Sequence, residues 1–323
     1  MDFQTIRTVD LSEISNPSAA DSIATEISAS LSESGFMYVS NHGISDSIIS
    51  RLQQMQRDFF NLSVAQKEQI AINSSNRGYL GHGQARMHGA EKHDQKEVFF
   101  WGAELAHNHP HRLANIPLCG PNQWPDTPDG FKQSVLDYAA AIAKLGNQLL
   151  RALAIALDIP ADFFSRHYQS PMTRGQLIHY PPTTGGENDF GVAPHTDFGC
   201  ITLLLQETAG LEVLNKADEW VPAAPLPGTL VINIGDLLER WTNGRLPSTR
   251  HRVRNLTGQE RYSIAMFHDP DPTAIVDPAD LYNNSDSNCY SDNANFRPIA
   301  ASEYIHGRNR GAFAHFGEID KAT

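Results

Sequence analysis

The strongest constraint on the fold is a run of short apolar segments that begins at Gly175 and ends at Phe267. Glycine, proline and asparagine separate the segments, and each is about as long as a β-strand. Many short strands with this punctuation are typical of a double-sheet barrel such as a jelly roll. The segments read GQLIHYPP, CITLLLQE, GLEVLN, WVPAAP, GTLVINIGD, HRVRN and RYSIAMF.

Helical patterns dominate the N-terminal half. An apolar pattern that opens at Asn16-Pro17 and stops at Gly35 predicts a first helix. A short strand, 36–39, follows, and Ser45 can cap a second helix. A long helix is predicted over about 130–157. The residues expected on the core face of this long helix are Leu136, Ala140, Leu145, Leu149 and Leu153.

These patterns predict a mainly β protein with flanking helices, of the α+β class, whose core is a double-stranded β-helix (jelly roll). Residues 1–125 are expected to form a helical N-terminal region with the substrate loops. Residues 126–323 are expected to hold the long support helix, the jelly-roll core and a C-terminal helix at about 300–312.

Charge and composition narrow the classes of function. The net charge of −12 disfavours a nucleic-acid-binding protein, which needs a basic surface to neutralise phosphates. The N-terminus does not resemble a signal peptide, and no stretch approaches the roughly 20 apolar residues of a membrane span. We therefore expect a cytoplasmic protein, monomeric or weakly oligomeric, that binds a small molecule and neither nucleic acid nor membrane.

Three residues form a candidate metal site: His195, Asp197 and, further along, His251. Alternate strand residues face the same way, so His195 and Asp197 should both point into the barrel, along with Ile201 and Leu203 if the strand runs on. Two imidazoles and one carboxylate suit one face of an octahedral Fe(II). The alternative is a chance His-x-Asp triplet in a chain with 14 histidines, beside a core histidine bonded to a carbonyl.

A candidate anion site follows at Arg261-Tyr262-Ser263. Alternation places Arg261 and Ser263 on the inner face of a strand that is otherwise apolar. Burial of an arginine has a high desolvation free energy unless an anion pairs with it. The guanidinium can donate two parallel hydrogen bonds to one carboxylate of a dicarboxylate such as 2-oxoglutarate. The alternative is an internal salt bridge to Asp236 or Glu239.

With these motifs in order, the chain resembles the iron(II)/2-oxoglutarate-dependent dioxygenases, in the branch that includes isopenicillin N synthase. The sequences of its motifs most resemble those of thymine-7-hydroxylase-like microbial members. The resemblance runs nearly end to end. It rests on GFMYVSNHGI (35–44), HYPP (179–182), HTDFGCITLLLQ (195–206), GLEVL (210–214), INIGDLLERWTNG (232–244), STRHRV (248–253) and RYSIAMF (261–267).

The resemblance implies an iron site and a cosubstrate site. His195, Asp197 and His251 would be catalytic metal ligands, and the 2-oxoglutarate site would comprise Arg261, Ser263 and Tyr180. Ile178 departs from the pattern, because plant members usually carry asparagine there. A carboxylate at position 197 favours hydroxylation, since halogenases of the family have a small residue there.

The implied reaction is the hydroxylation, or alternatively the desaturation or cyclisation, of a small molecule. It would use Fe(II), 2-oxoglutarate and O2, with ascorbate as the reductant in vitro, and would release succinate and CO2. The alternatives are an isopenicillin N synthase-like oxidase without 2-oxoglutarate, a non-catalytic binding protein, and a nucleic-acid or protein demethylase. The side chains expected near the substrate are Tyr79, Met87, Phe99, Trp101 and Phe267.

Overall fold

Two β-sheets enclose the centre of the molecule. The computed structural model describes residues 3–86, 90–183, 190–281 and 295–312. The major sheet has eight strands, all antiparallel to their neighbours except one parallel pair at an edge, Thr8–Asp10 with Phe36–Ser40. In order across the sheet they are β1 (Thr8–Asp10), β2 (Phe36–Ser40), β10 (Thr229–Ile234), β7 (Ile201–Gln206), β12 (Arg261–His268), β5 (Arg174–Tyr180), β4 (Glu97–Gly102) and β3 (Gly78–Leu80).

The minor sheet has four strands, and the chain passes repeatedly between the two sheets. β5, β7, β10 and β12 lie in the major sheet, while the strands between them in sequence lie in the minor sheet. This alternation is the double-stranded β-helix that the segment pattern predicts, and the predicted fold class is confirmed. The minor strands are β6 (Val192–His195), β11 (His251–Val253), β8 (Leu211–Leu214) and β9 (Trp220–Pro222), and a separate two-stranded sheet joins β13 (Ile275–Val276) and β14 (Ile299–Ala300).

Helices flank the sheets. The first begins at Ala20 rather than at Pro17, because residues 16–19 form turns, but it ends at Gly35 in the left-handed conformation as predicted. Ser45 caps the second through the backbone N–H of Ile48. The helices are α1 (Ala20–Ser34), α2 (Asp46–Phe60), α3 (Val64–Glu68), α4 (Pro110–Leu113), α5 (Phe131–Ala156), α6 (Asp236–Trp241) and α7 (Ala301–Ala312), with 3₁₀ turns at Phe164–His167 and Pro278–Leu281.

The long helix α5 packs against α1 and α2 and against strands β7 and β12 of the major sheet. Two of the residues predicted on its core face are misplaced, because Leu136 is half-buried and Ala140 is exposed. The buried stripe lies to one side of them, and its members follow the helical period. They include Phe131, Val135, Tyr138, Ile142, Leu145, Leu149 and Leu153.

The N-terminal region shares the major sheet with the rest of the chain. It contributes β1 and β2 at one edge and β3 and β4 at the other. The division at residue 125 falls between α4 and α5, and it stays a prediction. Among the described residues, no helix is long and apolar enough to cross a membrane.

Candidate metal centre

His195 and His251 meet on neighbouring strands of the minor sheet. β6 and β11 pair antiparallel, and the two histidines stand directly opposite each other in the register. Their ring centroids are 4.3 Å apart. Both residues face the space between the two sheets, where one cavity opens.

Asp197 reaches the same point from a turn and not from a strand. β6 ends at His195, and Ile201 begins β7 in the other sheet, so no single strand runs on from His195 to Leu203. The turn is held by the backbone N–H of Asp236, which donates to the Asp197 carbonyl at 2.8 Å. Gly235 lies so close to the turn that a Cβ there would approach the Gly199 carbonyl oxygen to 2.3 Å.

The three side chains have the spacing of metal ligands. Asp197 Oδ1 lies 3.7 Å from Nε2 of His195 and 3.7 Å from Nε2 of His251. One ligand atom of each residue lies within 4.8 Å of the other two. Within the described part of the chain, this is the one cluster of three or more His, Cys, Asp or Glu side chains with such spacing.

Backbone carbonyls orient both imidazoles. Nδ1 of His195 is 2.8 Å from the Ala193 carbonyl, and Nδ1 of His251 is 3.1 Å from the Thr249 carbonyl. A carbonyl only accepts, so each Nδ1 carries the hydrogen and donates it. In the neutral form of each imidazole, this leaves the lone pair of Nε2 directed at the space that Asp197 shares, which is the arrangement of metal-binding histidines.

Two further residues hold the carboxylate of Asp197. Thr202 Oγ1 donates to Asp197 Oδ2 at 2.5 Å, and Asn233 Nδ2 donates to the same oxygen at 2.8 Å. Both bonds go to Oδ2, so Oδ1 keeps its lone pairs toward the histidines. Thr202 and Asn233 could not be recognised from the sequence, because only the pairing of β7 with β10 brings them beside the turn.

The protonation states suit cation binding. Burial and the neighbouring His251 lower the pKa of His195 to about 3. Burial raises the pKa of Asp197, but the two imidazoles and the hydrogen bonds from Asn233 and Thr202 outweigh burial, and the pKa is lowered overall. At neutral pH the cluster therefore contains a neutral imidazole at position 195 and a carboxylate anion.

Arg261 is a fully buried cation on β12. Burial lowers the pKa of its guanidinium, which the neighbouring Tyr180 partly offsets, and an arginine stays charged at neutral pH. Its hydrogen bonds go to neutral acceptors: the Thr208 carbonyl, Ser263 Oγ and Gln206 Oε1.

No carboxylate pairs with Arg261 among the described residues, so the salt bridge considered above is not formed. Asp236 is instead bonded to Ser248 and Arg308, and Glu239 accepts from the Ser248 backbone N–H. An unpaired buried cation of this kind is a strong attractor for an anion.

Tyr180 and Ser263 lie beside Arg261, and Ile178 completes the wall. Tyr180 is the register partner of Arg261 on β5, and the guanidinium carbon lies 4.6 Å from the centre of its ring. Ser263 stands directly opposite Ile178. Ile178 therefore presents an apolar side chain beside Ser263, and it lines the cavity.

The cavity is bounded by inward-facing residues of both sheets, and Phe267 is one of them. Tyr79, Phe99 and Trp101 do not line it, and their expected contact with the substrate stays a prediction. Met87 lies outside the described residues.

The physical reason is strand alternation. Phe99 and Trp101 pair with Leu177 and Gly175, on the opposite face from Gln176 and Ile178, and they pack toward α2 and α5. Tyr79 points to that same side, where its O–H donates to Glu97 Oε2 at 2.5 Å.

Several residues that line the cavity were not predicted from the sequence. Lys96 forms an ion pair with Asp94 at 3.1 Å, and Arg174 forms one with Asp269 at 2.7 Å. Each cation is thus neutralised within the wall. The other residues that sequence reasoning missed come from both sheets, the turns between them and α7: Phe36, Gln176, Val192, Thr196, Phe198, Leu204, Leu211, Val253, Ala265 and Asn309.

Comparisons with known proteins agree in both parts of the chain. A family model described as non-haem dioxygenase in morphine synthesis, N-terminal, matches residues 6–127. A second, described as the 2OG-Fe(II) oxygenase superfamily, matches residues 168–270. A probable iron/ascorbate oxidoreductase of Dictyostelium discoideum is 33% identical, over 87% of this chain and 85% of that protein. A homoarginine-6-hydroxylase of Arabidopsis thaliana is 32% identical, over 87% of this chain and 89% of that protein.

Solved structures share the whole architecture. A full-length Neurospora crassa protein, crystallised in complex with alpha-KG and thymine, superposes with a TM-score of 0.81 at 25% identity, covering 95% of this chain and 96% of that chain. A putative 2OG-Fe(II) oxygenase family protein from Caulobacter crescentus superposes with a TM-score of 0.82 at 32% identity, covering 95% of this chain and 99% of that chain.

Proposed function

Because the chain belongs to the 2OG-Fe(II) oxygenase superfamily, we propose that it hydroxylates a small molecule at an iron bound by His195, Asp197 and His251. Membership establishes the reaction class: the protein is an oxidoreductase, a dioxygenase that uses Fe(II) and 2-oxoglutarate. One observation carries the assignment of residues: the cluster shares its cavity with Tyr180, and a buried arginine without a described carboxylate partner packs against that ring.

The donor set fits Fe(II). Two imidazole nitrogens and one carboxylate oxygen lie within 4.8 Å of one another, and this combination suits non-haem iron with open positions. The neutral state of His195 and the anionic state of Asp197 mean that neither has to lose a proton at neutral pH before it binds a cation.

The surroundings of Arg261 fit 2-oxoglutarate. We assign its guanidinium, the Ser263 hydroxyl and Tyr180 to the distal carboxylate of the cosubstrate. A buried cation without a carboxylate partner among the described residues gains a counter-ion when that carboxylate binds. Arg261 also stays in place without the anion, since three neutral acceptors and the Tyr180 ring hold it.

The chain's own residues orient and shield the reaction. When bound, iron and 2-oxoglutarate supply the oxidation of a substrate C–H bond by O2, with succinate and CO2 as products. Carbonyls of Ala193 and Thr249 keep the imidazoles in one tautomer, and Thr202 and Asn233 fix the carboxylate. Apolar side chains, including Leu204, Leu211, Val253 and Ala265, line the cavity and limit the access of water.

A small molecule is the substrate class that the relatives support. The Neurospora crassa structure contains thymine, and plant relatives are named for homoarginine. The net charge of −12 supports a small molecule over a nucleic acid. We further propose a cytoplasmic protein, monomeric or weakly oligomeric, that acts without a membrane partner.

The purified protein is expected to convert 2-oxoglutarate to succinate when Fe(II), ascorbate and a pool of small molecules are supplied. A pool that contains a substrate should raise the rate above the slow background without substrate. The measurement is succinate by mass spectrometry together with O2 uptake. Substrate-dependent O2 uptake without 2-oxoglutarate would identify an oxidase instead, and no O2 uptake with any pool would identify a binding protein.

Replacing Thr202 with valine is expected to weaken Fe(II) binding about 10- to 100-fold, the range seen when a residue that orients a metal ligand is lost. Valine keeps the shape of threonine but removes the hydrogen bond to Asp197 Oδ2. The dissociation constant can be measured by competition with a chelator. Thr25→Val, at an exposed position of α1, is the matched control and should leave the constant unchanged. Equal affinity in the two variants would contradict the role of Thr202.

A further inference from the structure

The C-terminal helix α7 is attached to the segment that carries the metal-binding cluster. Arg308 forms an ion pair with Asp236 at 2.6 Å and donates to Thr196 Oγ1 at 3.1 Å. Thr196 lies between His195 and Asp197 in sequence, and the Asp236 backbone N–H donates to the Asp197 carbonyl. The position of α7 relative to the cluster is therefore determined by direct polar contacts.

The next residue on this helix, Asn309, lines the cavity together with the cluster. The residue is 2% exposed, and its Nδ2 has no hydrogen-bond partner among the described residues. Buried polar groups are rarely left without a partner, because the lost hydration is not replaced. An amide N–H group without a partner in this cavity is thus expected to form a hydrogen bond with a bound ligand.

Asn309 differs from three other polar residues of the cavity wall, each of which has a partner. Lys96 and Arg174 are ion-paired, and Asn233 is bonded to Asp197. Among the described cavity residues, Asn309 is the one with a fully buried side-chain nitrogen or oxygen that lacks a partner.

We infer that Asn309 is a substrate-binding residue whose Nδ2 donates a hydrogen bond to a carbonyl oxygen of the substrate, in an amide-type group or a carboxylate. The inference rests on the proposed function, because it places the substrate in the cavity that contains the iron ligands. It goes further, because it names the chemical group that the substrate presents to α7. Through Arg308, the bond also sets the distance between that group and the metal.

The test uses two probes with the full chain, Fe(II) and 2-oxoglutarate in the absence of O2. Thymine offers amide-type carbonyls, and indole-3-acetate offers a carboxylate. At least one probe should bind the wild type, as measured by calorimetry. Asn309→Leu, which keeps the size of the side chain, should weaken that binding about tenfold, the effect of losing one hydrogen bond. The affinity for 2-oxoglutarate should stay within about twofold, which a merely structural role of Asn309 would not predict.

A second variant distinguishes the two sources of the carbonyl. Asn309→Asp should weaken the binding of indole-3-acetate more than Asn309→Leu does, because two carboxylates repel each other. It should retain part of the binding of thymine, whose N–H can donate to the new carboxylate. Glu303→Leu, at an exposed position of the same helix, is the control and should bind like the wild type.

Three outcomes would overturn the inference while leaving the proposed function intact. They are wild-type binding of neither probe up to millimolar concentration, equal probe binding by the wild type and Asn309→Leu, and an equal loss of probe and 2-oxoglutarate binding in that variant. A wild type that fails to bind 2-oxoglutarate with Fe(II) present would overturn the proposed function, and this inference with it.

Discussion

Replacing Arg261 with leucine is expected to weaken 2-oxoglutarate binding by about a hundredfold or more while leaving the protein folded. Loss of a buried charged hydrogen-bonding partner costs about 2–5 kcal/mol in a complex, and a hundredfold corresponds to about 2.7 kcal/mol. Stability should change little, because the loss of three hydrogen bonds to neutral acceptors is offset by removal of a buried cation that has no carboxylate partner among the described residues. Apolar replacements of buried charges are often neutral or stabilising.

The measurement is the dissociation constant of 2-oxoglutarate by calorimetry with Fe(II) present, beside a thermal melt. The expected change of the melting temperature is within roughly 2–4 °C, equivalent to about 1 kcal/mol. Arg250→Leu, at an exposed position just before β11, is the matched control for both readouts. Arg261→Lys keeps the charge but lacks the two parallel N–H donors of the guanidinium, and it should bind 2-oxoglutarate with intermediate affinity. Unchanged binding in both Arg261 variants would exclude Arg261 from the cosubstrate site.

Replacing His251 with alanine is expected to reduce both Fe(II) binding and succinate formation by more than about a hundredfold. Residues that only orient a metal ligand contribute about 10- to 100-fold, so a ligand should contribute more. His251 also faces Asp197 at 3.7 Å, and its removal leaves one imidazole and one carboxylate, too few to hold iron in the open coordination that the reaction needs.

The assay compares metal content after gel filtration with succinate formed per hour. His107→Ala, in an exposed loop, is the matched control and should retain both activities. The His251 ring also packs edge-on against Phe36 at 5.3 Å, so a thermal melt is needed to separate loss of metal from loss of fold. A folded His251→Ala variant with full iron content would contradict the proposed metal site.

Local patterns were sufficient to predict the orientation of some elements in which one face is buried and the other is not. β11 is such a strand, because His251 and Val253 are buried while Arg252, and Arg254 just after the strand, are partly exposed. The inward orientation of His251 was therefore predictable from alternation alone. α1 similarly ends at the glycine that was predicted to end it.

The same method failed where both faces are buried. All six residues of β4 are buried, so its sequence contains no sign of which side faces the cavity. Phe99 and Trp101 were predicted near the substrate, but pairing with β5 turns them toward the helices. The choice depends on register with a strand more than 70 residues away in sequence.

The sequence by itself determined the jelly-roll fold class and a His, Asp, His and Arg set in family order, because hydrophobic period and residue chemistry are local properties of the chain. Only the tertiary structure decided how Asp197 reaches the histidines, since its turn depends on backbone contacts with Gly235 and Asp236. It alone decided that Arg261 has no carboxylate partner among the described residues and that Asn309 lines the cavity. These features follow from contacts between segments distant in sequence, and no local pattern encodes them.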